Sequence, residues 1–148
     1  MAAASAAWSQ PPRAPEVWGN VGIARAAGDE SSLGSGVIYG AGASLPFTRR
    51  FAFEADIARL HADRFVPFTR VLFSPAIVAR WGKPNLYGFA GGGVGVQHDR
   101  GHTGGTVHAR GGFVVELAPK LVLRTEVFSA WHYVMPTIGV KFGFGYRF

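Results

Sequence analysis

The feature that most limits what this chain can fold into is an alternation of apolar and polar residues with a period of two, repeated from one segment to the next. Phe51, Phe53, Ala55 and Ile57 alternate with Ala52, Glu54, Asp56 and Ala58. Leu121, Leu123, Thr125 and Val127 alternate with Val122, Arg124, Glu126 and Phe128. Phe113, Val115 and Leu117 alternate with Gly112, Val114 and Glu116. A strand turns successive side chains to opposite faces, so this pattern specifies strands with two unlike faces. The longest stretch without charge, Ser31 to Thr48, contains Gly34, Gly36, Gly40, Gly42 and Pro46, residues that a membrane-spanning helix disfavours. If the chain enters a bilayer it must therefore do so as a closed barrel, which leaves no backbone group unpaired in hydrocarbon.

The pattern predicts eight strands, at 17–25, 35–45, 51–60, 70–81, 86–97, 107–117, 121–132 and 137–148. A tilted strand needs about 9–11 residues to cross hydrocarbon, and these lengths match. The connections PFTRR (46–50), GKPN (82–85) and APK (118–120) read as short turns. The connections at 26–34, 61–69 and 98–106 read as longer polar loops. Short turns at one end and longer loops at the other form the outer-membrane pattern, with both termini on the periplasmic, short-turn side. Residues 1–16 read as the remainder of an export signal or as a flexible Ala/Pro-rich lead, and 17–148 as a single barrel domain.

Composition narrows the function classes. Only 16% of the 148 residues are charged, against roughly 25% in soluble domains. There is no cysteine, which excludes disulfides and thiolate metal sites. The formal net charge is +6, but Arg49-Arg50 is the only adjacent basic pair. A nucleic-acid partner needs a clustered basic footprint, and none is expected here.

The stretch WGKPNLYGFAGGGVGVQHD (81–99), the strand–Pro-turn–strand hairpin after it and the closing GVKFGFGYRF carry a resemblance. They resemble the small bacterial outer-membrane β-barrels, the eight-stranded OmpA/OmpX-like domains, over about residues 17–148. The resemblance implies an all-β, antiparallel, up-and-down transmembrane barrel in the bacterial outer membrane. Its implied partners are the lipid bilayer, lipopolysaccharide and, during insertion, the barrel-assembly machinery. Val140, Phe142, Phe144, Tyr146 and Phe148 would face lipid and form the C-terminal assembly signal, while Lys141 and Arg147 face the lumen. Trp81 near the short turns and Trp131 with Tyr133 near the loops would form aromatic girdles. A soluble lipocalin-like barrel is the alternative, and it would carry its apolar face inward.

With the polar face inside, the lumen would hold Glu54, Asp56, Glu116 and Glu126 against Arg80, Arg110, Arg124, Lys141 and Arg147. An eight-stranded barrel is only wide enough to be filled by side chains, so near balance of charge points to a plugged, salt-bridged core. The function expected is a non-enzymatic envelope or surface-binding role in a monomer, with a small-solute or ion pore as the alternative. All five histidines, His61, His98, His102, His108 and His132, read as lying near the loop side. His98-Asp99 with His102 has a spacing that a divalent metal can use, but a polar surface loop accounts for the same residues, and no metal or cofactor is expected. Arg64 and Arg100 are placed to meet lipopolysaccharide phosphates. Lipid A deacylases are also eight-stranded barrels, and their His-aromatic-Ser motif is similar to His132-Tyr133-Val134 here. The nucleophilic Ser is replaced by Val134, and Ser129 lies about 10 Å along the strand from His132. The chain is therefore not expected to be an enzyme.

Overall fold

The computed structural model describes residues 11–26, 34–62, 68–132 and 135–148. Nine strand segments follow in chain order: β1 (Glu16–Ala26), β2 (Gly34–Pro46), β3 (Phe51–Ala62), β4 (Phe68–Phe73), β5 (Ala76–Lys83), β6 (Leu86–Asp99), β7 (His102–Ala118), β8 (Leu121–His132) and β9 (Met135–Arg147). Every pairing is antiparallel. β9 pairs with β1 from Glu16↔Arg147 to Ala26↔Thr137, which closes the sheet on itself. β4 and β5 both lie between β3 and β6, so they are two halves of one stave, and the closed barrel has eight.

The break between the half-staves lies at Ser74-Pro75. Proline has no N–H to give to the ladder, so pairing lapses there. The register is the same on either side, with Ile57↔Phe73 before the break and Glu54↔Ala76 after it. Ser74 N–H still donates to the Asp56 carbonyl at 2.8 Å. The freed Ser74 carbonyl accepts from Arg110 Nη2 inside the barrel at 2.6 Å. A buried cation thus supplies the partner that the strand defect leaves open.

The glycines of β6 face this same stave at very close approach. A Cβ at Gly93 would lie 2.2 Å from the Pro75 carbonyl oxygen, and one at Gly91 2.0 Å from that of Ile77. Such a tightly coiled corner admits only a residue without a side chain. Gly93→Val should abolish the folded band that runs differently from the boiled band on a detergent gel. Gly19→Ala, whose added Cβ would meet nothing closer than 3.9 Å, should keep that band.

Residues 98–106 are not a long loop, because β6 and β7 run on to Asp99↔His102. Only Arg100 and Gly101 remain as the turn, with φ of 47° and 82°. Two successive positive φ values make the primed turn that suits the twist of a hairpin. The other two expected loops, 26–34 and 61–69, fall largely on residues outside those described.

Candidate functional site

Alternation sends each strand's two faces to different surroundings. Outward-facing Val21, Ile23, Ile57, Ile77, Val127 and Phe142 are each more than half exposed. Inward-facing Glu54, Asp56, Arg110, Arg124, Glu126 and Lys141 are all buried. A water-soluble barrel has no reason to expose a continuous apolar belt while burying its ions, whereas a barrel wrapped in hydrocarbon must.

The lumen is layered. β3 and β8 each place charge at mid-height, Glu54 and Asp56 on one and Arg124 and Glu126 on the other. Arg124 forms a fork with Glu54, Nη1 to Oε1 at 3.0 Å and Nη2 to Oε2 at 2.7 Å. Its Nε and Nη2 also donate to Glu126 Oε2 at 3.2 and 3.1 Å. The guanidinium lies over the rings of Phe89 and Trp18, at 3.7 and 4.1 Å from their centroids. Lys141 Nζ bridges Asp56 Oδ1 at 2.8 Å and Glu126 Oε1 at 3.0 Å. Asn20 Nδ2 donates to the other Asp56 oxygen at 3.0 Å. Arg110 Nη1 stands 3.9 Å from Glu54 Oε2. Three bases and three acids thus meet at one level.

Apolar layers seal this level on both sides. Toward the loops lie Ala24, Ile38, Ala58, Leu60, Leu72 and Phe128. Toward the short turns lie Ala52, Val78, Tyr87, Phe89, Val114 and Val122. The lumen is therefore not lined by small and polar residues alone, as the alternation suggests. Large side chains, including Trp18, Tyr87, Phe89 and Phe128, fill the space between charged groups. The cavity beside Asp56, His108, Arg110 and Lys141 measures about 10 Å³, roughly what one water needs.

Each end carries its own polar cluster. At the short-turn end Arg147 Nε donates to Glu16 Oε1 at 2.7 Å, and its Nη1 bonds Glu116. Tyr87 donates to Glu16 Oε2 at 2.6 Å. Arg80 lies over the Tyr87 ring and bonds the Pro12 carbonyl, so the lead segment folds against the barrel mouth. At the loop end Arg70 donates to Asp99 Oδ2 at 3.0 Å and to Thr137 Oγ1 at 2.7 Å.

Glu16, Arg70 and Asp99 escape the sequence reading. With them the described lumen holds Glu16, Glu54, Asp56, Asp99, Glu116 and Glu126 against Arg70, Arg80, Arg110, Arg124, Lys141 and Arg147. The signal that identifies them is parity: each shares a face with a buried neighbour two residues away on its own strand.

Outside, Phe142, Phe144, Tyr146 and Phe148 are exposed and Val140 is half-buried. Tyr146 and Phe148 meet edge to face at 5.4 Å. Trp81 and Trp131 are exposed toward opposite ends of the wall, while Tyr133, Val134 and Arg64 lie outside the described residues. The histidines do not converge. His98 is exposed on the outer face and bonded to Thr103 at 2.8 Å, Asp99 turns inward to Arg70, and His108 is buried in the lumen. Among the described residues no three metal-ligating side chains come together. His132 Nδ1 is 2.7 Å from the Gly105 carbonyl oxygen. Ser129 and His132 have opposite parity on β8, so they belong to opposite faces of the wall.

This architecture is a closed, eight-stave antiparallel barrel of the small outer-membrane class. The neisserial surface protein A (NspA) structure superposes with a TM-score of 0.79 at 11% identity, covering 90% of this chain and 97% of that one. The N-terminal barrel domain of Pseudomonas aeruginosa OprF gives 0.68 at 10% identity, covering 92% and 98%. Ail, the attachment invasion locus protein of Yersinia pestis, solved with the heparin analogue sucrose octasulfate, gives 0.58 at 15% identity, covering 91% and 99%. No family model matches the sequence, and no curated protein matches it. The likenesses establish the fold.

Proposed function

We propose that the protein is a non-conducting, non-enzymatic barrel of the bacterial outer membrane, with a structural role in the envelope and its surface contacts at the loop-end rim. One observation carries this reading: the lumen is closed at mid-height by the Glu54–Arg124–Glu126–Lys141–Asp56 network between two apolar layers. An ion crossing the barrel would have to separate pairs whose partners have already left water, and such separation is costly. The enzyme alternative lacks geometry, since His132 is bonded to the β7 backbone and Ser129 belongs to the other face. The three structural neighbours support the envelope setting, and the structure of Ail with the heparin analogue sucrose octasulfate supports surface contact as the use of such a rim. In a planar lipid bilayer the purified protein should add no steady conductance steps above the bare membrane. Regular steps with a reproducible unit size would sink the plugged-wall reading in favour of a pore.

A further inference from the structure

Outside the lumen the described charges are of one sign. Arg13, Arg25, Arg49, Arg50, Arg59, Lys83 and Lys120 are exposed, and the described acids all belong to the lumen clusters. Arg13, Arg49, Arg50, Lys83 and Lys120 all lie at the short-turn end, spread over the lead into β1 and every described turn there. Each of those turns also carries exposed apolar side chains: Phe47 and Phe51 beside Arg49 and Arg50, Trp81 and Leu86 beside Lys83, and Tyr146 and Phe148 near Lys120. Cations set just beyond a greasy belt match a bilayer surface, where stems lie along hydrocarbon and charged heads reach phosphate.

The backbone supplies a second, independent observation. Lys120 sits at φ +70° directly after Pro119. In a turn of that order the second central position belongs to Gly or Asn, because a side chain there is strained. The chain carries an exposed lysine where local geometry favours a smaller residue, which adds a cation to this rim. Lys120 Nζ also lies 5.7 Å from the Tyr146 ring centroid, which holds it beside the wall.

We propose that this rim is a binding ring for anionic phospholipid headgroups, which gathers phosphatidylglycerol-type lipids of the periplasmic leaflet around the barrel. The proposal rests on the membrane reading above. The ring selects the headgroup by charge alone, through several side chains each contributing a screened attraction.

Trp81 is the natural reporter. It is exposed, lies two residues before Lys83 on the same face, and packs on Gly88 of β6. Arg50 is next to its strand, because the Arg50 carbonyl accepts from Arg80 N–H at 2.7 Å. The experiment uses the full chain with Trp8→Phe and Trp131→Phe, which leaves Trp81 exposed on the wall and Trp18 buried in the lumen as an unquenched background, reconstituted in vesicles doped with dibrominated phosphatidylglycerol or dibrominated phosphatidylcholine. At low salt the anionic quencher should quench Trp81 at least about twofold more strongly than the neutral one. That preference should vanish in Arg49→Gln/Arg50→Gln/Lys83→Gln/Lys120→Gln. It should also vanish for the unmodified ring near 1 M salt, where the Debye length is about 3 Å; this arm needs no variant to fold. Equal quenching by the two lipids, or a preference that survives both the substitutions and the salt, overturns the ring. So does an unchanged lipid profile with lost co-sedimentation on purified peptidoglycan, which would assign the ring to the cell wall. Quenching by neither lipid overturns the membrane reading itself.

Discussion

Arg124→Met is expected to destabilise the barrel by about 3–5 kcal/mol, the cost of breaking a buried ion pair from one side. The variant keeps most of the side-chain volume over Trp18 and Phe89, so lost packing is minor. What it removes is the fork onto Glu54 and the bonds to Glu126. Glu126 retains Lys141 at 3.0 Å, but Glu54 is left with Arg110 at 3.9 Å. The loss should therefore fall mainly on Glu54, which is 1% exposed. Replacing that carboxylate as well should recover stability, so Arg124→Met/Glu54→Gln should be more stable than Arg124→Met alone. Urea unfolding in detergent, followed by tryptophan fluorescence, measures both. A single-variant cost below about 1 kcal/mol, the range of exposed pairs, would show that the central network is solvated and would weaken the plugged lumen with it.

The parts of this network that can be read from the sequence are those whose strand has an unambiguous pair of faces. On β3, Glu54 and Asp56 alternate with Phe53, Ala55 and Ile57, and on β8, Arg124 and Glu126 alternate with Leu123, Thr125 and Val127. What cannot be read depends on connections. Asp99 looks like a loop residue until the Arg100-Gly101 turn closes tightly and keeps it in β6, paired with His102 and within reach of Arg70. Glu16 looks like part of the lead until β1 begins one residue earlier and meets Arg147 across the closing seam. With Glu16, Arg70 and Asp99 counted, an apparent excess of inward bases becomes an even balance among the described residues.

The face of β6 is hidden for a different reason. Tyr87 and Phe89 point inward, while the outward positions beside them are Gly88, Ala90 and Gly92, the reverse of a lipid-facing pattern. Trp81 on the neighbouring stave explains the inversion, because its indole covers Gly88, where an added Cβ would lie 2.7 Å from the ring. One strand supplies the apolar surface for the next. A single-strand pattern cannot show that exchange, because it depends on the register Trp81↔Gly88.

A charge placed on the middle of the outer wall distinguishes a membrane barrel from a soluble one. Val127 is 56% exposed, lies midway along β8 and pairs with Val140 and Gly111. In a water-soluble barrel Val127→Arg would be an ordinary surface change, within about 0.5 kcal/mol of neutral. In a bilayer the same arginine faces hydrocarbon and should cost about 2–4 kcal/mol, falling to about 0–1 near the interfaces. Leu117→Arg supplies the interfacial comparison, since Leu117 is 52% exposed but lies next to the β7–β8 turn. The expected result in vesicles is a clear gap between the two variants, with Val127→Arg the less stable in urea. The gap should shrink in short-chain detergent, where an arginine head reaches water easily. If both variants match the parent protein in vesicles, the exposed belt does not face lipid. The apolar outside would then need a protein partner to cover it.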